Sequence, residues 1–249
     1  AARRDRDQLG GQHHRGADHS KVVDAVIPVL YEQGERAFAT NGIGRLVDAT
    51  ECVVTEERNG IYELYMEYPI DGRHFSELRH SRIIYAAPAD GKNPQPFRIY
   101  RIEKPLDGIC SIYAEHISYQ LNHIPAMPFS AGSAAAALSG LLSNAIQDCP
   151  FEAWTDKETT GTYTLKHPAP IREQLGGVQG SILDVYGKGD YEFDGYTVRL
   201  WANRGFDRGV TIRYGKNLTD LEQDENIEST ITGVCPYWAN EEEGSVVTL

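Results

Sequence analysis

DYEFDGYTVRLWANRGFDRGVTIRYGKNLTDLEQDEN, residues 190–226, sets the reading of the rest of the chain. Tyr191 and Phe193, then Tyr196, Val198 and Leu200, recur at the period of two that lines residues along sheet faces. Asp194-Gly195 between the two runs is the dipeptide of a type I′ hairpin, whose central residues both need positive φ. Asn203-Arg204-Gly205 and Asp207-Arg208-Gly209 supply loop chemistry before a second alternating run, Val210, Ile212 and Tyr214. Gly215 closes that run, and an acidic segment follows.

Upstream, residues 26–123 read as strands throughout. IPVLYE turns at Gly34 into FATNGIGRLVDA, where Asn41-Gly42 is a hairpin signal. ECVVTEERNGIYELYMEYP is two strands joined at Asn59-Gly60, with Cys52 and Val54 on one side and Ile61, Glu63 and Tyr65 on the other. RHFSELRHS is polar and has room for one helical turn. RIIYAAP, FRIYRIEKP and GICSIYAEHISY complete a set of short strands with frequent turn signals, the pattern of a barrel or closed sandwich. Closure also removes exposed sheet edges.

Residues 124–189 change character. Ser133 is placed as the N-cap of an Ala- and Leu-rich helix, AAAALSGLLSNAI. FEAWTD and GTYTLKHP are expected to pair as strands. REQLGG forms a short helix stopped by Gly176, and GSILDVYG another capped by Ser181. The spacing thus predicts a mostly-β α+β protein: a β-barrel domain over 26–123, a small α+β module over 124–189, and a return to strands over 190–249. Ending inside an apolar strand pattern, GSVVTL, suggests that this last part is cut short. Residues 1–25 are rich in Arg, Asp, His and Gly, lack an apolar signal core, and are expected to be a disordered leader or start-site artefact.

At 249 residues the chain is long enough for more than one module. No run approaches the roughly 18 apolar residues of a membrane span. A net charge of -12 argues against a nucleic-acid-binding surface, which needs clustered Lys and Arg. Cys52, Cys110, Cys149 and Cys235 form no CxxC pair and are expected to be buried reduced thiols.

Candidate chemistry reads down to structure at each point. Gly42-Ile43-Gly44 has Val47 where a dinucleotide fingerprint needs its third glycine, and no helix pattern follows. Asp190, Glu192 and Asp194 imitate a calcium loop, but Trp201 stands at the twelfth position, so they are assigned to the wet face of a strand. Ser133 lies in AGSAA rather than a nucleophile elbow. Cys110 falls on a strand, apart from any clear partnership with His116 or His123, and those two lack zinc spacing. Adjacent Glu56 and Glu57 point to opposite faces of a strand. His13, His14 and His19 have no fold around them. No catalytic residue, cofactor site or metal site is assigned. Trp154 and Trp201 are expected in the core, whereas Tyr237 and Trp238 in CPYW are assigned as a possible partner interface.

LWANRGFDRGVTIRYGKNLTDLEQDEN with TGVCPYW resembles the N-terminal hub region of siphophage tail-tip proteins, a family also labelled prophage tail endopeptidase or tail-associated lysin. GRLVDATECVVTEERNGIYELYMEYP, QPFRIYRIEKPLDGICSIYAEHISY, CPFEAWTDKET and GSILDVYGKGDYEFD extend the resemblance from Val26 to the end. It implies a fold similar to contractile-phage baseplate hubs, in which a β-barrel tube domain and a small α+β insertion are followed by a second barrel-like tube domain, here over 190–249 and cut short. It also implies a homotrimer at the virion's tail tip, made in the bacterial host cytoplasm. Implied partners are the ring-forming distal tail protein, the tape-measure protein, and a receptor-binding or lytic tip module. DNA is expected to pass the channel without specific binding. The family label also carries an alternative, a peptidoglycan endopeptidase, with catalysis expected beyond Leu249. A glycan-binding module is the third possibility, supported by fourteen Tyr and three Trp.

Overall fold

The computed structural model describes residues 27–106, 108–205, 209–216, 218, 237–240 and 245–248. The chain divides into two compact units, residues 1–204 and 205–249. The leader, its three histidines, Cys235 and most of the acidic segment after Tyr214 lie outside the described residues.

Seven strands open the first unit: β1 (Val29–Tyr31), β2 (Gly44–Arg45), β3 (Glu51–Glu56), β4 (Tyr62–Pro69), β5 (Ile83–Ala86), β6 (Gln95–Glu103) and β7 (Ile109–His116). They form one antiparallel sheet in the order β2-β1-β5-β6-β7-β4-β3. In a flat sheet the outer two strands would stand about 29 Å apart, six spacings of roughly 4.8 Å. Yet five residues, 46–50, join the end of β2 to the start of β3, and six extended steps reach about 20 Å. The sheet therefore has to curl. Its edges β2 and β3 are not hydrogen-bonded to each other, so it stays an open half-barrel rather than the expected closed barrel.

The concave side is apolar because the alternation is regular. Along β4, Tyr62, Leu64, Met66 and Tyr68 are buried, and the residues between them are half-buried. Ile84, Phe97, Ile99, Ile112 and Ala114 join them in one core. A bulge in β6 between Ile99 and Arg101 inserts Tyr100 and bends the strand. Gly42 shapes the approach to β2: its φ is 58°, and a Cβ there would lie 2.4 Å from the Leu30 carbonyl oxygen.

A 3-10 segment, Ile117–Asn122, leads into the α+β part. It comprises β8 (Pro125–Ala126), β9 (Phe129–Ser133), α1 (Ala134–Ser143), β10 (Glu152–Thr155), β11 (Thr160–Leu165), β12 (Ala169–Pro170), α2 (Ile171–Leu175), α3 (Ile182–Tyr186), β13 (Asp190–Asp194) and β14 (Thr197–Trp201). Ser133 caps α1 as its sequence implies, its Oγ accepting from the Ala136 N–H at 3.2 Å. Ala134, Ala137, Leu138 and Leu141 of α1 are buried in a second core with Tyr163, Ile171, Ile182, Tyr191, Val198 and Leu200. Phe193 packs against both cores, so the β13–β14 hairpin lies in the first unit and rivets its two parts together.

Several expectations are corrected. β10 and β11 do not pair with each other: β10 runs parallel to β14, and β11 antiparallel to β9. Both pairings are non-local, and strand alternation does not carry partner choice. The β13–β14 turn is centred on Gly195-Tyr196, because Asp194 pairs with Thr197. Gly195 has φ 55° and Tyr196 has no positive φ, the requirement of a type II′ turn rather than I′. Ser181 precedes α3 but makes no side-chain cap, and its Oγ is buried without a partner. Trp154 is 40% exposed and leans on Trp201, ring centroids 4.5 Å apart. Cys52 is exposed on the edge strand β3, whereas Cys110 is buried.

In the second unit, β15 (Tyr237–Asn240) pairs antiparallel with β16 (Ser245–Thr248). Val210, Ile212 and Tyr214 form no strand; Tyr214 makes an isolated bridge to Leu218, and all three are largely exposed. Their alternation has found no sheet to bury it among the described residues. Tyr237 and Trp238 lie on β15, and their side chains are outside what the structure describes.

Candidate functional site

The residues weighed as catalytic are placed apart or occupied. His116 ends β7 with its ring stacked on Tyr62, centroids 4.4 Å apart, and edge-on to Phe97. Burial, with Arg172 adding to it, pushes its pKa down to about 3, so it is neutral. Its Nδ1 accepts from the backbone N–H of Ser118. His123 is exposed after the 3-10 segment. Gly42-Ile43-Gly44 belongs to the approach to β2, and Ser133 is spent on its cap. Among the described residues no group of three His, Cys, Asp or Glu is placed to hold a metal ion.

Asp190 is not on a wet face. It is 4% exposed, binds the Arg58 guanidinium, and accepts from the Arg204 backbone N–H at 3.0 Å. Burial pushes its pKa upward, but these donors outweigh it and hold the carboxyl below its usual value. Around it, Arg204 pairs with Glu56 and Glu192 at 2.7 and 3.1 Å, and Arg199 with Asp194 at 2.8 Å. Two amides clamp the hairpin beside this network. Asn59 accepts from the Tyr191 N–H and donates to the Gly189 carbonyl, while Gln95 donates to Asp194 and accepts from the Gly195 N–H. The calcium-loop look-alike is thus a structural joint.

The candidate functional surface is the convex side of the curled sheet. The register puts Thr55, Glu63, Glu115 and Arg98 in one row across β3, β4, β7 and β6. Val53, Tyr65, Tyr113 and Arg101 form the next, and Glu51, Glu67, Ser111 and Glu103 the third. Carboxylates face each other directly at Glu63–Glu115 and Glu51–Glu67, an arrangement that lowers sheet stability. Arg98 neutralises Glu115 at 2.6 Å, and Arg101 binds Glu103. Glu51, Glu63 and Glu67 have no ion-pair partner among the described residues.

Tyrosines brace this face without neutralising it. Tyr65 and Tyr113 have ring centroids 5.3 Å apart, and the Arg101 guanidinium sits 5.0 Å over Tyr113. The Tyr65 hydroxyl donates to Glu67 at 2.9 Å and the Tyr113 hydroxyl to Glu103 at 3.1 Å. The accepting Glu103 carboxylate raises the Tyr113 pKa above its ordinary value. The result is a firm, acidic, hydrogen-bonded surface that gives up sheet stability to remain negative. YELYMEYP already carries its signal, since Glu63, Tyr65 and Glu67 alternate with apolar residues. The neighbouring rows depend on cross-strand register and are invisible in sequence.

No family model matches the chain, and no curated protein matches it. Among solved structures, the fold is similar to that of prophage tail protein gp18 from Listeria monocytogenes EGD-e. The TM-score is 0.57 at 15% sequence identity, over 90% of this chain and 67% of that one. The chain therefore has a strand-dominated α+β fold of the kind seen in that prophage tail protein.

Proposed function

We propose that this chain is a structural hub of a phage tail tip, forming the distal end of the tail channel. The observation that carries the proposal is the fold, shared with a prophage tail protein across 90% of the chain. In this reading the β1–β7 half-barrel is a tube domain completed in a homotrimer, where the unpaired edges β2 and β3 meet neighbouring copies. Residues 124–189 are the small α+β insertion, and the strands toward the end of the chain begin a second tube-like domain. The convex acidic face lines the bore, so that DNA passes by repulsion without specific binding.

Its partners are the distal tail ring, the tape-measure protein and a receptor-binding or lytic tip module, with Tyr237 and Trp238 at one of these contacts. The hub sits in the virion's tail tip and is made in the bacterial host cytoplasm. Its role is architectural, so a zymogram of the chain on cell-wall substrate stays uncleared. The direct test is light scattering on size-exclusion peaks of the chain mixed with the distal tail ring protein of its phage. Co-elution at a mass of three chains per six-fold ring supports the hub. A monomer that ignores the ring contradicts it.

A further inference from the structure

Arg172, half-buried on α2, lies between two aromatic rings. Its guanidinium carbon is 4.4 Å from the Tyr119 centroid and 4.8 Å from that of Phe193. Nη1 donates to the Ser118 hydroxyl at 3.0 Å. His116 Nδ1 lies 2.9 Å from that hydroxyl and also accepts from the Ser118 N–H, so the hydroxyl donates its hydrogen bond to the neutral imidazole and accepts from Arg172. This chain of donors and the two rings fix the guanidinium's position.

What Arg172 lacks is an anion. Among the described residues no carboxylate lies within ion-pair distance of it, whereas Arg82, Arg98, Arg199 and Arg204 each hold at least one. Acids are not scarce: the chain has 36 Asp and Glu against 24 Lys and Arg. Burial pulls its pKa down, with Tyr119 and Glu115 only partly offsetting, yet a guanidinium remains charged. It borders a cleft of 330 Å³ whose other walls include Leu175, Gly176, Leu183, Tyr191 and Phe193.

We infer that this cleft receives a carboxylate side chain, Glu or Asp, from a partner protein. The guanidinium fork matches a carboxylate in two parallel hydrogen bonds, and apolar walls strengthen the pair by excluding water. The volume admits one or two side chains and is too small for a helix or strand. A single cation and no second basic group suit a singly charged carboxylate better than a phosphate. Neither the cleft nor its anion depends on the chain being a tail protein.

The test is amide and guanidine NMR of the full 249-residue chain titrated with two capped tripeptides, Leu-Glu-Leu and Leu-Gln-Leu, and separately with butyrate. The Glu peptide is expected to shift Arg172 Nε–H and the Gly176 and Gly177 amides saturably, with a dissociation constant on the order of millimolar. The Gln peptide binds at least about tenfold more weakly, and Arg172→Lys weakens the Glu peptide similarly. Equal shifts from both peptides, or none from either, overturn the assignment. Butyrate binding without the Glu peptide also overturns it, by making the site one for small acids. The peptide comparison uses the unaltered chain, so it stands even if an Arg172 variant does not fold.

Discussion

The side-chain amide of Asn59 closes a ring with the backbone around Tyr191: its Oδ1 accepts from the Tyr191 N–H at 2.7 Å, and its Nδ2 donates to the Gly189 carbonyl at 3.0 Å. Asn59 does this from a left-handed turn, φ 54°, a conformation Asn tolerates better than most residues. One residue thus turns the β3–β4 hairpin and ties the sheet to the β13–β14 hairpin. Asn59→Ala loses both bonds, leaves two backbone groups unpaired and strains the turn. We expect a loss of about 2–4 kcal/mol in urea denaturation. Asn59→Gly relieves the turn and recovers only part of it.

Gly42→Ala tests the close approach of the chain to β1. The new methyl meets the Leu30 carbonyl oxygen at 2.4 Å and also carries the cost of φ 58°. Gly91→Ala is the control, because its φ is 72° with nothing within 4 Å of the added carbon. The control is expected to lose about 1 kcal/mol and Gly42→Ala at least about twice that. Equal losses would show that the contact with Leu30 has no energetic weight.

Stability should fall as the solution is acidified through the histidine range. His116 titrates near 6.5 in the unfolded chain and at about 3 when folded. Its neutral form is favoured by folding, so this stability is fully present above about pH 6.5 and is lost as pH falls toward 3. The slope is about 1.4 kcal/mol per pH unit, and above about pH 4.5 most carboxylates do not yet interfere. His116→Phe keeps an aromatic ring against Tyr62 and removes the proton. Its unfolding free energy should be flat between about pH 6.5 and 4.5; an unchanged slope would assign the effect elsewhere.

Much of the sheet is legible in sequence because each strand's alternation is local. YELYMEYP shows which side of β4 is buried, and Ser133 before an Ala-rich run shows where α1 starts. What escapes is set by residues far apart. Asp190 looks like a solvated acid until Arg58, 132 positions earlier, is brought against it. Val210, Ile212 and Tyr214 alternate like a strand but join no sheet among the described residues, Tyr214 making only an isolated bridge to Leu218, and alternation alone supplies no partner strand. The acidic face follows the same rule: Glu63 and Glu67 are readable as one side of one strand. That Glu115 and Glu51 stand opposite them is a fact of register.

The acidic face makes a prediction about DNA. The chain should not retain duplex DNA at low salt, because Glu51, Glu63 and Glu67 present uncompensated charge. Replacing these three by Lys is expected to create binding that weakens steeply as salt rises, as phosphate contacts do. Fluorescence polarisation with a labelled duplex measures it. Tight DNA binding by the unaltered chain would remove the argument for a repelling bore.

Whether the chain is a tail-tip hub is decided by cryo-electron microscopy of the intact phage tail tip. A hub gives three copies of this chain around the tail axis, each presenting the β3–β4–β7–β6 face, with Glu63, Glu67 and Glu115, to the channel. Absence of the chain from the tip, or a bore lined by other residues with this face turned to solvent, contradicts it.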